Sequence, residues 1–425
     1  MRSRTILFWS LLALSLAVNA VIFKDLADIS QWLVQSSREF TMAVWYHRHW
    51  LALVAIGSLA GAWLLWLRDR SLAPRWVTLS VTLLGLFLFY SGYVNPRLMF
   101  RTQQHEAQFV PVSEARARLE RTLPWARFGW QRYASVDDIS MIVLETDRGA
   151  LAYSDYFILQ PHVAKAAPVN GEDVVMTYCG LTNMGIAYSP EIDGQPLELG
   201  VMTQLENNLV LWDHNTGEPI QQIYGRMEGR PERGKMREWP TIRMPFASFA
   251  ALYPDGLVYV NEIPSFSENP LLAAWDRLTR HVMMYNGVSL QWAREAPAFP
   301  TIERFDDRLP RKQLVYALSV GDDHVAWTLD YIREQGDLIN TRVGGRDIVI
   351  AYDARWRAVG AFYNDSGAPV TSINILGEIP GGRTLPRVET LKSEIFWFIW
   401  AHFHPDTDVN RAPAGGGDRI ANRSA

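Results

Sequence analysis

The sequence predicts an α+β protein: three transmembrane helices precede a β-rich extracytoplasmic body made of two related strand units and a few packing helices. Three observations carry this. Long apolar runs crowd the first 95 residues and then stop. Beyond them, short apolar stretches alternate with Gly, Asp and Asn turns, and the 17 Trp, 29 Gly and 23 Pro suit strands and tight connections. Finally, one strand-turn-strand pattern occurs twice.

At 425 residues the chain has room for a membrane anchor and one or two domains. Its formal charge is only −4, and Lys and Arg are scattered rather than blocked. Without a basic stripe to neutralise phosphates, nucleic acid is not an expected partner. A single cysteine excludes an intramolecular disulfide, so the compartment must be argued from topology.

The apolar runs at residues 6–23, 50–67 and 76–94 each approach the roughly 20 residues that carry a helix across about 30 Å of hydrocarbon. Trp50, Trp63, Trp66, Trp76, Tyr90 and Tyr93 lie near run ends, where amphipathic rings favour the interface. Arg68, Arg70 and Arg75 crowd the short loop between the second and third runs, and Arg2 and Arg4 precede the first. The positive-inside bias puts that loop and the amino terminus in the cytoplasm, which makes this a multi-pass inner-membrane protein. Everything after Asn95 then lies on the periplasmic or extracytoplasmic side. Val18-Asn19-Ala20 also fits a signal-peptide cleavage site, and that reading leaves the body outside too. Residues 24–49, with Trp32, Leu33, Phe40, Val44 and Trp45, suit either an interfacial helix or an ordinary loop.

Residues 96–139 read as a connector, with Ser113 placed to cap a short helix over 114–123 that stops at Pro124. The body occupies 140–409. Met141 to Leu144, the turn Asp147-Arg-Gly and Ala150 to Tyr153 form a hairpin pattern. Strands are expected over 173–178, 184–189, 197–201, 209–212, 219–224 and 257–260, with a tight turn at Asp193-Gly194. Asn269-Pro270 opens a helix whose Leu271, Trp275, Leu278 and Val282 share one face. Residues 393–403 are too short to span a bilayer and suit a buried helix, and the Gly-rich tail over 410–425 suits disorder.

The repeat pairs residues 150–200 with 324–376. Tyr153-Ser-Asp-Tyr sets beside Thr328-Leu-Asp-Tyr, Gly171 beside Gly345, and Val174-Val-Met-Thr-Tyr178 beside Ile348-Val-Ile-Ala-Tyr352. Cys179 then stands opposite Asp353, so any chemistry belongs to the first copy alone.

Several short motifs stand in fixed order: Ala152-Tyr153-Ser154, His162-Val163, Cys179-Gly-Leu-Thr182, Asp213-His-Asn-Thr216, Gln222-Ile-Tyr-Gly225 and Trp397-Phe-Ile-Trp400. In this the chain resembles an uncharacterised prokaryotic family, domain of unknown function 3179, over roughly residues 140–409. The family pattern has His-Glu and Cys-Pro-Leu-Cys where this chain has His162-Val163 and Cys179-Gly-Leu-Thr182. A metal or dithiol site implied by the resemblance would therefore be half dismantled here.

Cys179 with His162 could serve as a soft pair for a transition metal such as copper or zinc, or as a thiolate with its base. The plain alternative is a small buried hydrophobe beside a hydrogen-bonded histidine. Asp213 is a further catalytic candidate, although its turn would attract Asp, Asn and Thr regardless of function. Tyr178, Asn183 and Gln222 are the candidate ligand contacts. His402-Phe-His404 would diverge at a helix end, and Gly229 to Lys235 lacks the Ser or Thr a phosphate loop needs after its lysine. The leading expectation is a membrane-anchored extracytoplasmic binding or assembly module. Its partners are the lipid bilayer and an unidentified ligand or protein. The alternative is a metal-handling protein or enzyme centred on Cys179 and His162.

Overall fold

The computed structural model of the chain describes residues 2–27, 36–94, 108–123, 132–261, 270, 274, 285–299, 302 and 304–412. The helix expected after Pro270 and the tail beyond residue 412 lie outside the described residues. The chain divides into two compact units, an amino-terminal helical one and a β-rich body.

In the helical unit, α1 (Arg2–Leu26), α2 (Arg38–Arg68) and α3 (Arg75–Phe89, wound on through a π turn to Val94) are long and apolar enough to cross a membrane. Leu53, Ile56, Leu64, Leu83 and Leu84 stay exposed on their outer faces, as lipid contact requires. Polar side chains turn inward instead: Ser15 donates to the Ala55 carbonyl at 2.9 Å and Trp63 to Thr82 at 2.8 Å. Residues 38–49 form neither a loop nor a separate interfacial helix. They are the opening turns of α2, capped by Ser37, whose hydroxyl accepts the Phe40 N–H at 3.4 Å. At 31 residues α2 runs about 46 Å, more than the hydrocarbon layer demands.

The body opens with β1 (Phe109–Pro111) and α4 (Val112–Glu120). That helix begins two residues before the expected one because Pro111, with its fixed φ, occupies the cap position; Ser113 lies inside the first turn. The hairpin β2 (Ser140–Thr146) and β3 (Gly149–Ser154) follows, then α5 (Asp155–Leu159), which the Ser154 hydroxyl caps by accepting the Phe157 N–H at 3.2 Å. An antiparallel meander comes next: β4 (Val163–Lys165), β5 (Val175–Cys179) and β6 (Met184–Tyr188). Asp193 and Gly194, with φ of 51° and 75°, make the two-residue turn between Glu191–Ile192 and Gln195–Pro196. β7 (Asn208–Asp213) and β8 (Pro219–Gln221) pair beyond it. β9 (Ile242–Pro245) then returns to lie antiparallel to β2, α6 (Phe246–Leu252) follows it, and β10 (Leu257–Tyr259) runs parallel to β3.

After α7 (Asn286–Ala293) comes a second hairpin, β11 (Leu314–Val320) and β12 (Asp323–Trp327), and then α8 (Leu329–Glu334), capped by Thr328. A second meander is formed by β13 (Leu338–Val343), β14 (Arg346–Asp353) and β15 (Ala358–Tyr363). β16 (Lys392–Phe396) pairs antiparallel to β11, α9 (Trp397–Phe403) follows, and β17 (Asp408–Asn410) runs parallel to β12. The expected helix over 393–403 is thus half strand. Residues 393–396 sit on the β11 edge, where backbone pairing outweighs their helical spacing. Trp397 and Trp400 in α9 are 0% and 1% exposed, and burial at this level stabilises by roughly 2–3 kcal/mol per large side chain.

Strand order is β10-β3-β2-β9 in the sheet of the first segment, with β1 added at its edge, and β17-β12-β11-β16 in the second. Each sheet has its own core, one around Met141, Ile142, Leu151 and Phe249 and the other around Leu318, Trp327, Ile350 and Ala361.

Candidate functional site

Cys179 ends β5 and is 3% exposed. Its Sγ lies 3.9 Å from the Asn207 carbonyl, and burial pushes the thiol pKa up, away from the thiolate form. Thr182 closes the following turn, its hydroxyl donating to the Cys179 carbonyl at 3.1 Å and accepting from the Met184 N–H at 3.2 Å. Gly180 in that turn faces α7, and a Cβ there would meet Val288 at 2.5 Å.

His162 sits where α5 hands over to β4, in a left-handed conformation at φ 69°. Its Nδ1–H donates to the Tyr178 carbonyl at 2.9 Å, its own carbonyl accepts the Tyr178 N–H at 2.8 Å, and burial lowers its pKa to about 4. The ring is therefore neutral. His162 and Cys179 flank Tyr178, yet among the described residues no group of three or more His, Cys, Asp or Glu is arranged to hold a metal.

Asp213 is wholly committed to its turn, accepting the N–H groups of Glu198, Asn215 and Thr216 and the Thr216 hydroxyl between 2.7 and 3.2 Å. Gln222 is fully buried and donates to Thr177 at 3.0 Å; its Oε1 has no hydrogen-bond partner. Neither approaches the Tyr178–Asn183 cluster through a hydrogen bond.

The structure does bring Tyr178 and Asn183 together, at the centre of a buried polar network. Asn183, left-handed at φ 58°, accepts on Oδ1 from Arg132 at 3.2 Å, Arg243 at 3.0 Å and the Tyr178 hydroxyl at 3.3 Å. Arg243 also donates to the Asn183 carbonyl at 2.9 Å and to Ser140 at 3.1 Å. Asn183 Nδ2 in turn donates 2.8 Å to the carbonyl of Glu394, whose carboxylate lies 3.8 Å from Arg243. Arg132 pairs with Asp155, which also accepts the Tyr133 hydroxyl at 2.6 Å. Burial opposes the Arg132 cation, but Asp155 more than offsets it, and the pKa is raised. Burial together with the Asp155 charge pushes the Tyr178 hydroxyl up to about 12.

The network joins the first sheet segment to the second: Asn183 and Arg243 belong to one, Glu394 to the other. A buried Lys392–Glu238 ion pair makes a further cross-link. Arg132, Arg243, Glu394 and the Lys392–Glu238 pair escaped the sequence reading. The available signal was a charge inside an apolar strand, as in Ile242-Arg243-Met244 and Glu394-Ile-Phe.

The body also carries an open groove of about 790 Å³, lined by Glu295, Asp307, Arg308, Leu309, Arg311 and Arg411 among others. Arg308 is tied to Asp306 at 2.7 Å and to the Thr407 carbonyl at 2.7 Å. The Arg311 guanidinium lies 3.8 Å over the Phe305 ring, with no ion-pair partner among the described residues.

Three apolar helices and a β-rich body define the class, a membrane protein with one large folded domain. The chain belongs to the family described as Protein of unknown function (DUF3179), whose model matches residues 126–407. No curated protein and no solved structure matches it.

Proposed function

We propose that this protein is an extracytoplasmic binding or assembly module, held at the inner membrane by its amino-terminal helices, with the open groove as its recognition surface. The groove carries this reading. Arg311 and Arg411 oppose Glu295 and Asp307 along it, so it suits a partner segment bearing both charges. The candidate residues Cys179, His162 and Asp213 are spent on internal bonds, which favours binding over thiol or metal chemistry. The location rests on the arginines of the loop from Arg68 to Arg75 and on the amino-terminal Arg2 and Arg4.

We also infer that the body is one unit used twice, over about residues 140–260 and 314–410. The strand orders agree, including the parallel final strand. Register supports pairing Cys179 with Asp353 and Tyr178 with Tyr352, because each strand ends in a four-residue turn, 180–183 or 354–357. The turns close on left-handed Asn183 and Arg357, at φ 58° and 51°, and each meander opens after a left-handed residue, His162 at 69° or Asp337 at 66°. Arg243 and Glu394 each lie three residues before their helix, so the salt bridge joins equivalent positions.

Phosphatase reporters fused after Gln108 and after Thr301 should both be active, since that enzyme works only after export. Inactive fusions at both points would overturn the location. For the groove, a photo-crosslinker at Asp307 should give a discrete adduct in cells that Arg311→Glu with Arg411→Glu abolishes, while the melting temperature holds. An adduct indifferent to the charge reversal would remove the groove from the reading.

A further inference from the structure

The chain contains only five lysines among its 41 basic residues, and two of them are buried in the body. Their surroundings differ. Lys392 has a carboxylate partner in Glu238. Lys312 has none: its Nζ donates to the Gln291 carbonyl and lies 5.0 Å and 5.3 Å from the ring centroids of Phe396 and Phe398.

The nearest fixed charges on that aromatic wall are cations. Arg132 stacks 3.8 Å over Trp292, whose ring lies 4.7 Å from Phe396, and Arg311 stacks over Phe305 beside Phe398. An ammonium held against aromatic faces and one carbonyl has lost most of its hydration and gained no counter-charge. The neutral amine is the form such a site favours, and a desolvated lysine in an apolar pocket is the usual route to a nucleophilic amine. In agreement, burial lowers its pKa to about 7. About half of Lys312 is then unprotonated at neutral pH, against about one in 3,000 for an ordinary lysine.

We propose that Lys312 is a nucleophilic amine that captures small aldehydes as a Schiff base. The nitrogen lone pair adds to the carbonyl carbon, giving a carbinolamine. Both amine hydrogens then leave with the carbonyl oxygen as water, and the C=N bond forms without any oxidant or reductant. This goes beyond the binding function and uses none of the groove residues named for it.

The test is reductive trapping on the full-length protein in detergent. Glycolaldehyde and cyanoborohydride are added at pH 7 and at pH 10, and the adducts are mapped by peptide mass over all five lysines. At pH 7, Lys312 should be modified at least tenfold faster than the exposed Lys165 and the loop residue Lys235. That lead should shrink at pH 10, where the ordinary lysines also lose their protons. Lys312→Met keeps an apolar stem among the rings, and it should remove the fast-labelled peptide with the other four rates unchanged. Labelling of Lys312 no faster than of Lys165 at pH 7, or a lead that persists unchanged at pH 10, would overturn the assignment. Both readouts come from the wild-type chain, so the proposal stays testable even if the variant fails to fold.

Discussion

Replacing His162 by Asn should make the protein less sensitive to acid. Burial lowers the His162 pKa from 6.5 to about 4. An unfolded chain takes up a proton here as pH falls through 6.5, whereas the folded chain resists until about pH 4. Stability is fully present above 6.5 and drains away between those two values. Worked at pH 5, the difference in proton uptake costs about 2 kcal/mol relative to pH 7.5. Asn tolerates the φ of 69° and cannot titrate. At pH 7.5 the variant loses the Nδ1 bond to the Tyr178 carbonyl, worth about 1 kcal/mol. At pH 5 the order should reverse, with the variant ahead by about 1 kcal/mol. His404, whose pKa burial lowers to about 3, titrates equally in both proteins and cancels. The assay is thermal unfolding of the full-length protein in detergent, followed by tryptophan fluorescence at pH 7.5 and 5.0. At roughly 2–4 °C per kcal/mol, the gap in melting temperature should move by about 4–8 °C between the two pH values. An identical gap at both would refute the buried, neutral histidine.

Two further outcomes follow from the same burial. Cys179 should resist an aromatic disulfide reagent at pH 8 until the protein is unfolded; Cys179→Ala should cost on the order of 1 kcal/mol, and Cys179→Ser more, through an unpaired hydroxyl. Immediate labelling of native protein would contradict its placement. Lys392→Met should cost about 3–5 kcal/mol by stranding the buried Glu238 charge, and adding Glu238→Met should recover most of that. A single variant that unfolds like the wild type would show the pair to be solvated.

The sequence by itself determined the three apolar helices, the first hairpin over 140–154, the Asp193-Gly194 turn and the place of Cys179 at a strand end. These depend on local rules: an apolar run of fixed length, alternation of period two, and residues that tolerate positive φ. It also carried the family's motif order. Tertiary structure decided the rest. Whether 393–396 is helix or strand depends on the edge of β11, some 75 residues away in the chain, which no local propensity encodes. Whether a Cys, His or Asp is reactive depends on its partners. Tyr178 and the Glu198 to Thr216 turn absorb His162 and Asp213 through bonds set by strand register. Arg243, Asn183 and Glu394 meet across 60 and 211 residues of chain, and only the packing of the two sheet segments makes them neighbours. Lys312 was unreadable for the same reason: the rings and the carbonyl around it come from 291, 396 and 398, and burial among them, not the residue itself, sets its charge.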